Sequence, residues 1–259
     1  MILKKKILIS MAVISLAVGM GLLLYPYISQ KVYVREVKKV LEAFDQKADK
    51  MKREVKAESS ETADSTADST TDSDLLYEKI LAYNRDLFLS GQKDLVDPFS
   101  YQQIGFSLKK WGFDEDMIGS LKIPKMNIEL PIYLGATNEN MAKGAAHLTQ
   151  TSLPVGGINS NAVIAAHRGY SKAAMFRDIE KLELGDEIII KNFRETLLYT
   201  VVEIKILKPT DILDILIQKE RDLVTLITCH PYGFNLQRYA VFCERIPSKK
   251  NLSQHRNPS

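Results

Sequence analysis

The sequence predicts a mainly β fold, a β-barrel with short helices, set behind amino-terminal helical segments. Three observations predict it. From Ile118 to Ile246 the chain is cut into short apolar runs separated by turn residues, the texture of a barrel. Within that half, Leu223 to Cys229 and Tyr239 to Cys243 have strand length and are rich in β-branched and aromatic residues, and Pro231-Tyr232-Gly233-Phe234-Asn235 interrupts them. Upstream, Val32 to Lys56 lacks Gly and Pro and places Val34, Val37, Leu41 and Phe44 at helical steps.

With 259 residues and 45% hydrophobic composition the chain can build one sizeable core plus appendages, and a net charge of +3 is too small to argue for nucleic acid. Residues 1–6 carry Lys4, Lys5 and Lys6, and Ile7 to Tyr25 follows without a charge over about the 20 residues that cross a bilayer. No small-x-small cleavage site closes this run, so 7–26 reads as an uncleaved transmembrane signal anchor. The three lysines favour a cytoplasmic amino terminus, although Lys31, Arg35, Lys38 and Lys39 on the other side weaken that vote. Residues 27–56 read as a membrane-proximal helix acting as a stalk. Residues 57–74, a Ser/Thr/Asp tract, read as a solvated acidic linker.

Residues 75–116 resume a helical pattern through Leu75, Leu76, Ile80, Tyr83, Leu87 and Leu89, with Ser73 or Asp74 as the expected cap, and then a loop around Asp97-Pro98-Phe99. Residues 117–247 form the expected barrel. Ile118 to Ile123 and Ile128 to Leu134 are the first strands, Asn138 to Ala146 a short helix, Ala162 to Ala166 a strand that delivers His167, and Lys172 to Ile179 another helix. Glu187 to Lys191 pairs with the long strand Leu197 to Leu207, and residues 248–259 are a polar tail.

The chemistry gathers around the last two strands. Cys229 ends one and Arg238 begins the next, so neighbouring strands would bring a thiol and a guanidinium to one opening. A thiolate attacks a carbonyl, and a fixed cation with several donors stabilises the oxyanion that forms. Thr225-Leu226-Ile227-Thr228-Cys229 followed by Arg238 resembles the TLxTC and arginine strands of the sortases, Gram-positive surface transpeptidases. His167, at the end of Val163-Ile164-Ala165-Ala166, stands where that family keeps its catalytic histidine.

The resemblance implies a closed eight-stranded sortase-type barrel outside the cell, held to the cell membrane by a single pass, with Cys229, His167 and Arg238 as catalytic residues and no cofactor or metal. Asp97, Pro98 and Phe99 match the Asp-Pro-aromatic lid of class C, pilin-polymerising, sortases. In that resemblance Asp97 engages Arg238 and Phe99 covers Cys229. The implied substrate is an LPXTG-like sorting signal, and the implied acceptor is a pilin lysine. The tail PSKKNLSQHRNPS departs from class C, which often carries a second hydrophobic segment there. An anchoring sortase that transfers to a peptidoglycan precursor is therefore the alternative enzyme.

Other residues divide between support and substrate contact. Thr225 and Thr228 either support the strand or bond near the site, and His147 is either a satisfied structural histidine or a substrate contact. His230 should point away from Cys229, and Arg168, which could compete with Arg238 as the oxyanion donor, is better read as lying on the surface of a helix or loop. Strand parity puts Cys243 on the face opposite Cys229, against a disulfide. A rival of another class is a non-catalytic surface module binding zinc through Cys229, His230, Cys243 and His167.

Overall fold

The computed structural model describes residues 2–61, 71–93, 106–113, 116–170 and 173–247. Eight strands organise it: β1 (Met117–Ile123), β2 (Ile128–Leu134), β3 (Ala145–His147), β4 (Ser160–Ala165), β5 (Glu187–Asn192), β6 (Thr196–Leu207), β7 (Asp222–His230) and β8 (Gln237–Arg245). They close into a barrel in the order β1-β2-β3-β4-β7-β8-β6-β5. The β2–β3 and β4–β7 pairs are parallel and the others antiparallel. This is the predicted closed barrel.

Local chemistry sets the connections. Pro124 opens a single 3-10 turn, Pro124–Met126, and Asn127 closes it at φ 51°, a left-handed conformation that Asn tolerates, so that Ile128 returns opposite Ile123. The helix expected over Asn138 to Ala146 is shorter than predicted. It stops as α3 (Asn138–Lys143), and Ala145 to His147 become β3. The reason is Gly144, where a Cβ would lie 2.8 Å from Pro131 Cγ and 2.9 Å from its carbonyl oxygen. Only glycine lets the chain come close enough to β2 to pair with it. The helix expected over Lys172 to Ile179 does not form: from Ala173 the chain runs in turns to one 3-10 turn, Ile179–Lys181. Met175, Phe176 and Ile179 are buried there, and Phe176 N donates to His167 O at 3.0 Å, so tertiary packing overrides helical propensity.

The membrane segment and the membrane-proximal helix are one element, α1 (Ile2–Glu61), with Pro26 inside it. Its amino-terminal part contains an apolar window of mean hydropathy 2.5 with no residue buried, compatible with a single-pass anchor. The stalk reading of its second half needs correction. Tyr33, Val37, Phe44, Ala48 and Met51 form one buried face that joins the barrel core, while Val34, counted in the predicted stripe, is exposed. Tyr33 Oη donates to Lys143 O at 3.0 Å, Lys191 Nζ lies 2.7 Å from Asp45, and the Phe44 ring packs 5.4 Å from that of Phe113. Deleting a buried phenylalanine side chain costs roughly 3 kcal/mol or more. Phe44→Ala should therefore lower the unfolding free energy of the detergent-solubilised chain by about 3 kcal/mol in a urea titration; a free stalk would show no change.

The linker is also shorter than predicted. α1 continues to Glu61 and α2 (Asp72–Ser90) starts before residue 74, with residues 62–70 outside the described residues. The cap is Thr71 rather than Ser73 or Asp74: its hydroxyl accepts from Asp74 N at 3.2 Å. Leu76, Ile80, Asn84 and Leu87 face inward, whereas Leu75 and Leu89 are exposed. Asn84 ties α2 to the barrel by donating to Leu153 O at 3.1 Å and accepting from Leu153 N at 2.7 Å.

The two faces of the β4–β7–β8 wall are distinct. Val224, Leu226, Val241 and Cys243 belong to the main core, while Val163, Ala165, Ile227, Ala240 and Phe242 form a second cluster on the other face. Ile212, Ile215 and Leu216, from the connection between β6 and β7, cover that second cluster. Both cysteines are free. Cys243 is buried in the main core, and burial pushes its thiol far above the usual range.

Candidate active site

Register pairs two of the predicted residues and brings the third to the same end of the wall. β4 and β7 run parallel with Ala165 opposite Ile227, so His167 and Cys229, each two residues further on, reach the same height on adjacent chains. Across the antiparallel pair β7–β8, Cys229 is the direct partner of Arg238. Ala165, Ile227 and Ala240 share the second cluster, and strand alternation carries His167, Cys229 and Arg238 to that same face. Thiol and guanidinium thus come from paired strands of one wall, and the imidazole from the segment two residues past the end of β4.

The loop between β7 and β8 is shaped by Gly233 at φ +81°, and Phe234 N closes a turn on Pro231 O at 3.0 Å. This folds Asn235 back over the site. Its Oδ1 accepts from Arg238 Nη1 at 2.6 Å and from Cys229 Sγ at 3.3 Å, bridging the two groups. Arg238 Nη1 also donates to Gln237 O at 3.0 Å, and the side chain is almost wholly buried. A buried guanidinium held at two points is preorganised, which is what stabilising a developing oxyanion requires. Beside it, Leu207, Pro209, Ile212, Ile215 and Ile227 line a cleft of only about 10 Å³.

His167 stacks on Tyr170, with ring centroids 5.2 Å apart and planes 12° from parallel. Partial burial lowers its basicity, because the imidazolium loses hydration. Asn235 and Tyr170 were missed in the sequence; Asn235 stood inside a turn cluster, where asparagine is ordinary. Arg168 is a correction: instead of lying on a surface it is buried, pairs with Glu180 at 2.6 Å, and donates to His230 Nδ1 at 2.8 Å. His230 contacts this network and the ring of Tyr239.

The supporting residues separate cleanly. Thr228 Oγ1 donates to Ala166 O at 2.7 Å, and Thr225 Oγ1 to Asn161 Oδ1 at 2.8 Å; both threonines are fully buried. His147 is buried too. Its Nε2 lies 3.0 Å from Ser152 O and 3.1 Å from Thr151 Oγ1, whose own proton goes to Leu148 O at 2.7 Å. Nε2 therefore carries the proton, and the neutral ring serves as a structural tie. Asp97, Pro98 and Phe99 lie outside the described residues.

Desolvation pushes the His147 pKa down to about 4, against about 6.5 in an unfolded chain. Its contribution to stability is therefore complete above pH 6.5 and is lost as pH falls through 4, since only the unfolded state takes up the proton in between. The loss should reach about 3 kcal/mol in chemical denaturation curves, and His147→Asn should flatten that segment of the profile. Parallel curves for the two proteins would contradict the assignment.

A family model described as the sortase domain matches residues 121–246. Sortase D of Bacillus subtilis is 30% identical over 131 residues, which cover 49% of this chain and 63% of that protein. The chain thus spans under two thirds of the length of this curated relative. Among solved structures, sortase C1 of GBS pilus island 1 superposes with a TM-score of 0.66 at 30% identity, covering 82% of this chain and 93% of that one. Sortase C of Streptococcus pneumoniae gives the same TM-score, 0.66, at 30% identity, covering 81% and 97%.

Proposed function

The chain belongs to the sortase family, and on that premise we propose that it is a membrane-anchored cysteine transpeptidase of the pilin-polymerising class. What supports this reading is the direct pairing of Cys229 with Arg238 across β7 and β8, with His167 two residues past the end of the neighbouring β4. Cys229 as thiolate attacks the Thr carbonyl of an LPXTG-like sorting signal, and Arg238 donates to the resulting oxyanion. Protonated His167 gives its proton to the departing glycine amine, leaving a Cys229 thioester. An amine then enters, His167 takes its proton, and the Thr carbonyl passes to a pilin lysine.

The reactive form is the thiolate–imidazolium pair. With unperturbed values near 8.5 and 6.5, only about 1% of molecules hold it near neutrality, and lowering the basicity of His167 works against it. Slow turnover follows. Asp97, Pro98 and Phe99 complete the proposal as a lid over Cys229; the solved structures of similar chains include a lid mutant of Streptococcus agalactiae sortase C1.

The zinc-binding alternative loses support, because Cys243 and Cys229 lie on opposite faces of the wall and Arg168 donates to His230 Nδ1. The anchoring alternative is separated by products. Incubated with an LPXTG-bearing protein and candidate pilins, the detergent-solubilised chain should give a ladder of isopeptide-joined subunits by mass spectrometry. Transfer only to short glycine or peptidoglycan-like amines would instead mark an anchoring enzyme.

A further inference from the structure

The β4–β7 ladder stops at Ala165 and Ile227, two residues short of His167 and Cys229. One more backbone bond, Ala166 N to Ile227 O at 3.3 Å, extends it; beyond that point the chain after β4 leaves the sheet, while β7 runs on to His230 against β8. The sheet therefore does not itself fix the spacing of imidazole and thiol. Side chains take over on both flanks. Before the pair, Thr228 Oγ1 holds Ala166 O at 2.7 Å. After it, Arg168 and His230, the residues next to His167 and Cys229, meet at 2.8 Å between Nη1 and Nδ1.

Arg168 is pinned from behind. Its Nη2 lies 2.6 Å from Glu180 Oε2, its Nη1 reaches Cys229 O at 3.5 Å, and Tyr239 covers it with a ring centroid 5.8 Å away. An arginine N–H only donates, so His230 Nδ1 accepts and the ring proton sits on Nε2. Glu180 Oε1 also stands 3.3 Å from Nδ1, and Tyr239 packs on the same ring. Burying a guanidinium carries a desolvation penalty that apolar packing would avoid. What it supplies here is direction between two chain ends.

We propose that Arg168, His230 and Glu180 form a clamp that sets the separation of His167 and Cys229, acting as positioning residues for the transpeptidation. The clamp rests on the sortase reading for its consequence in catalysis, but its effect on the thiol is measurable without substrate.

The test uses the detergent-solubilised full chain and the variants His230→Leu, His230→Asn and Glu180→Gln, with Cys229→Ala as blank. Two quantities are read: kcat and KM on an LPXTG-type peptide, and the rate of iodoacetamide alkylation against pH. His230→Leu should lower kcat roughly 10-fold or more with KM within about twofold, because small misplacements of reacting groups act on turnover. It should also change the alkylation profile by more than twofold, since the thiol loses its fixed distance to the imidazole. His230→Asn, which restores an acceptor for Arg168, should recover most of both. Should His230→Leu fail to fold, Glu180→Gln, altered at a half-exposed carboxylate, carries the same expectations. The clamp is overturned if the folded variants keep kcat and the profile within twofold of wild type, or if Asn performs no better than Leu. Absence of peptide cleavage by the wild-type chain would refute the sortase reading, while the alkylation profiles still decide the clamp.

Discussion

Cys229→Ala is expected to abolish both peptide cleavage and transfer, a loss of at least about 10⁴-fold, while the unfolding midpoint stays near that of the wild type. The thiol is only half-buried and its Sγ donates to Asn235 Oδ1 at 3.3 Å, so removing the sulfur leaves little cavity. A retained fold with lost turnover assigns the sulfur to chemistry. Cys243→Ala provides the contrast. That thiol is fully buried in the main core and its basicity is pushed the wrong way for a nucleophile, so its loss should lower stability and spare turnover.

Arg238→Lys should cost about 10²- to 10³-fold in kcat, the range expected when a donor to a developing oxyanion is lost. Charge is conserved in this substitution, so the effect isolates geometry. Lysine carries one rotatable ammonium where arginine carries a planar fork, and it cannot reproduce the contacts that Nη1 makes with Asn235 Oδ1 at 2.6 Å and Gln237 O at 3.0 Å while aiming a second nitrogen at substrate. KM should change less than kcat, because the interaction strengthens as the oxyanion forms. Equal kcat values in the two proteins would remove Arg238 from the mechanism.

The meeting of Cys229 and Arg238 on β7 and β8 was legible because a two-residue period and a short turn leave few ways to join the two runs across the hairpin. His167 was legible as the polar end of an apolar run. β3 was not, since Ala145-Ala146-His147 is short and its alanines favour helix; tertiary pairing with β2, permitted by Gly144, decides it. The docking of α1 was hidden for a different reason. An apolar stripe at helical spacing has the same pattern whether it faces a barrel or another helix. Arg168 read as surface because its partners, Glu180 and His230, are remote in sequence, and the hydrogen bonds that justify its burial exist only in the folded chain.

The most direct test of the proposed chemistry is intact-mass spectrometry of the chain mixed with an LPXTG-type peptide in the absence of an acceptor amine. The account predicts an adduct equal to the peptide's acyl portion through Thr, located on Cys229, and discharged when an amine is added. Cleavage that proceeds with no adduct, or an adduct that persists in Cys229→Ala, would contradict it.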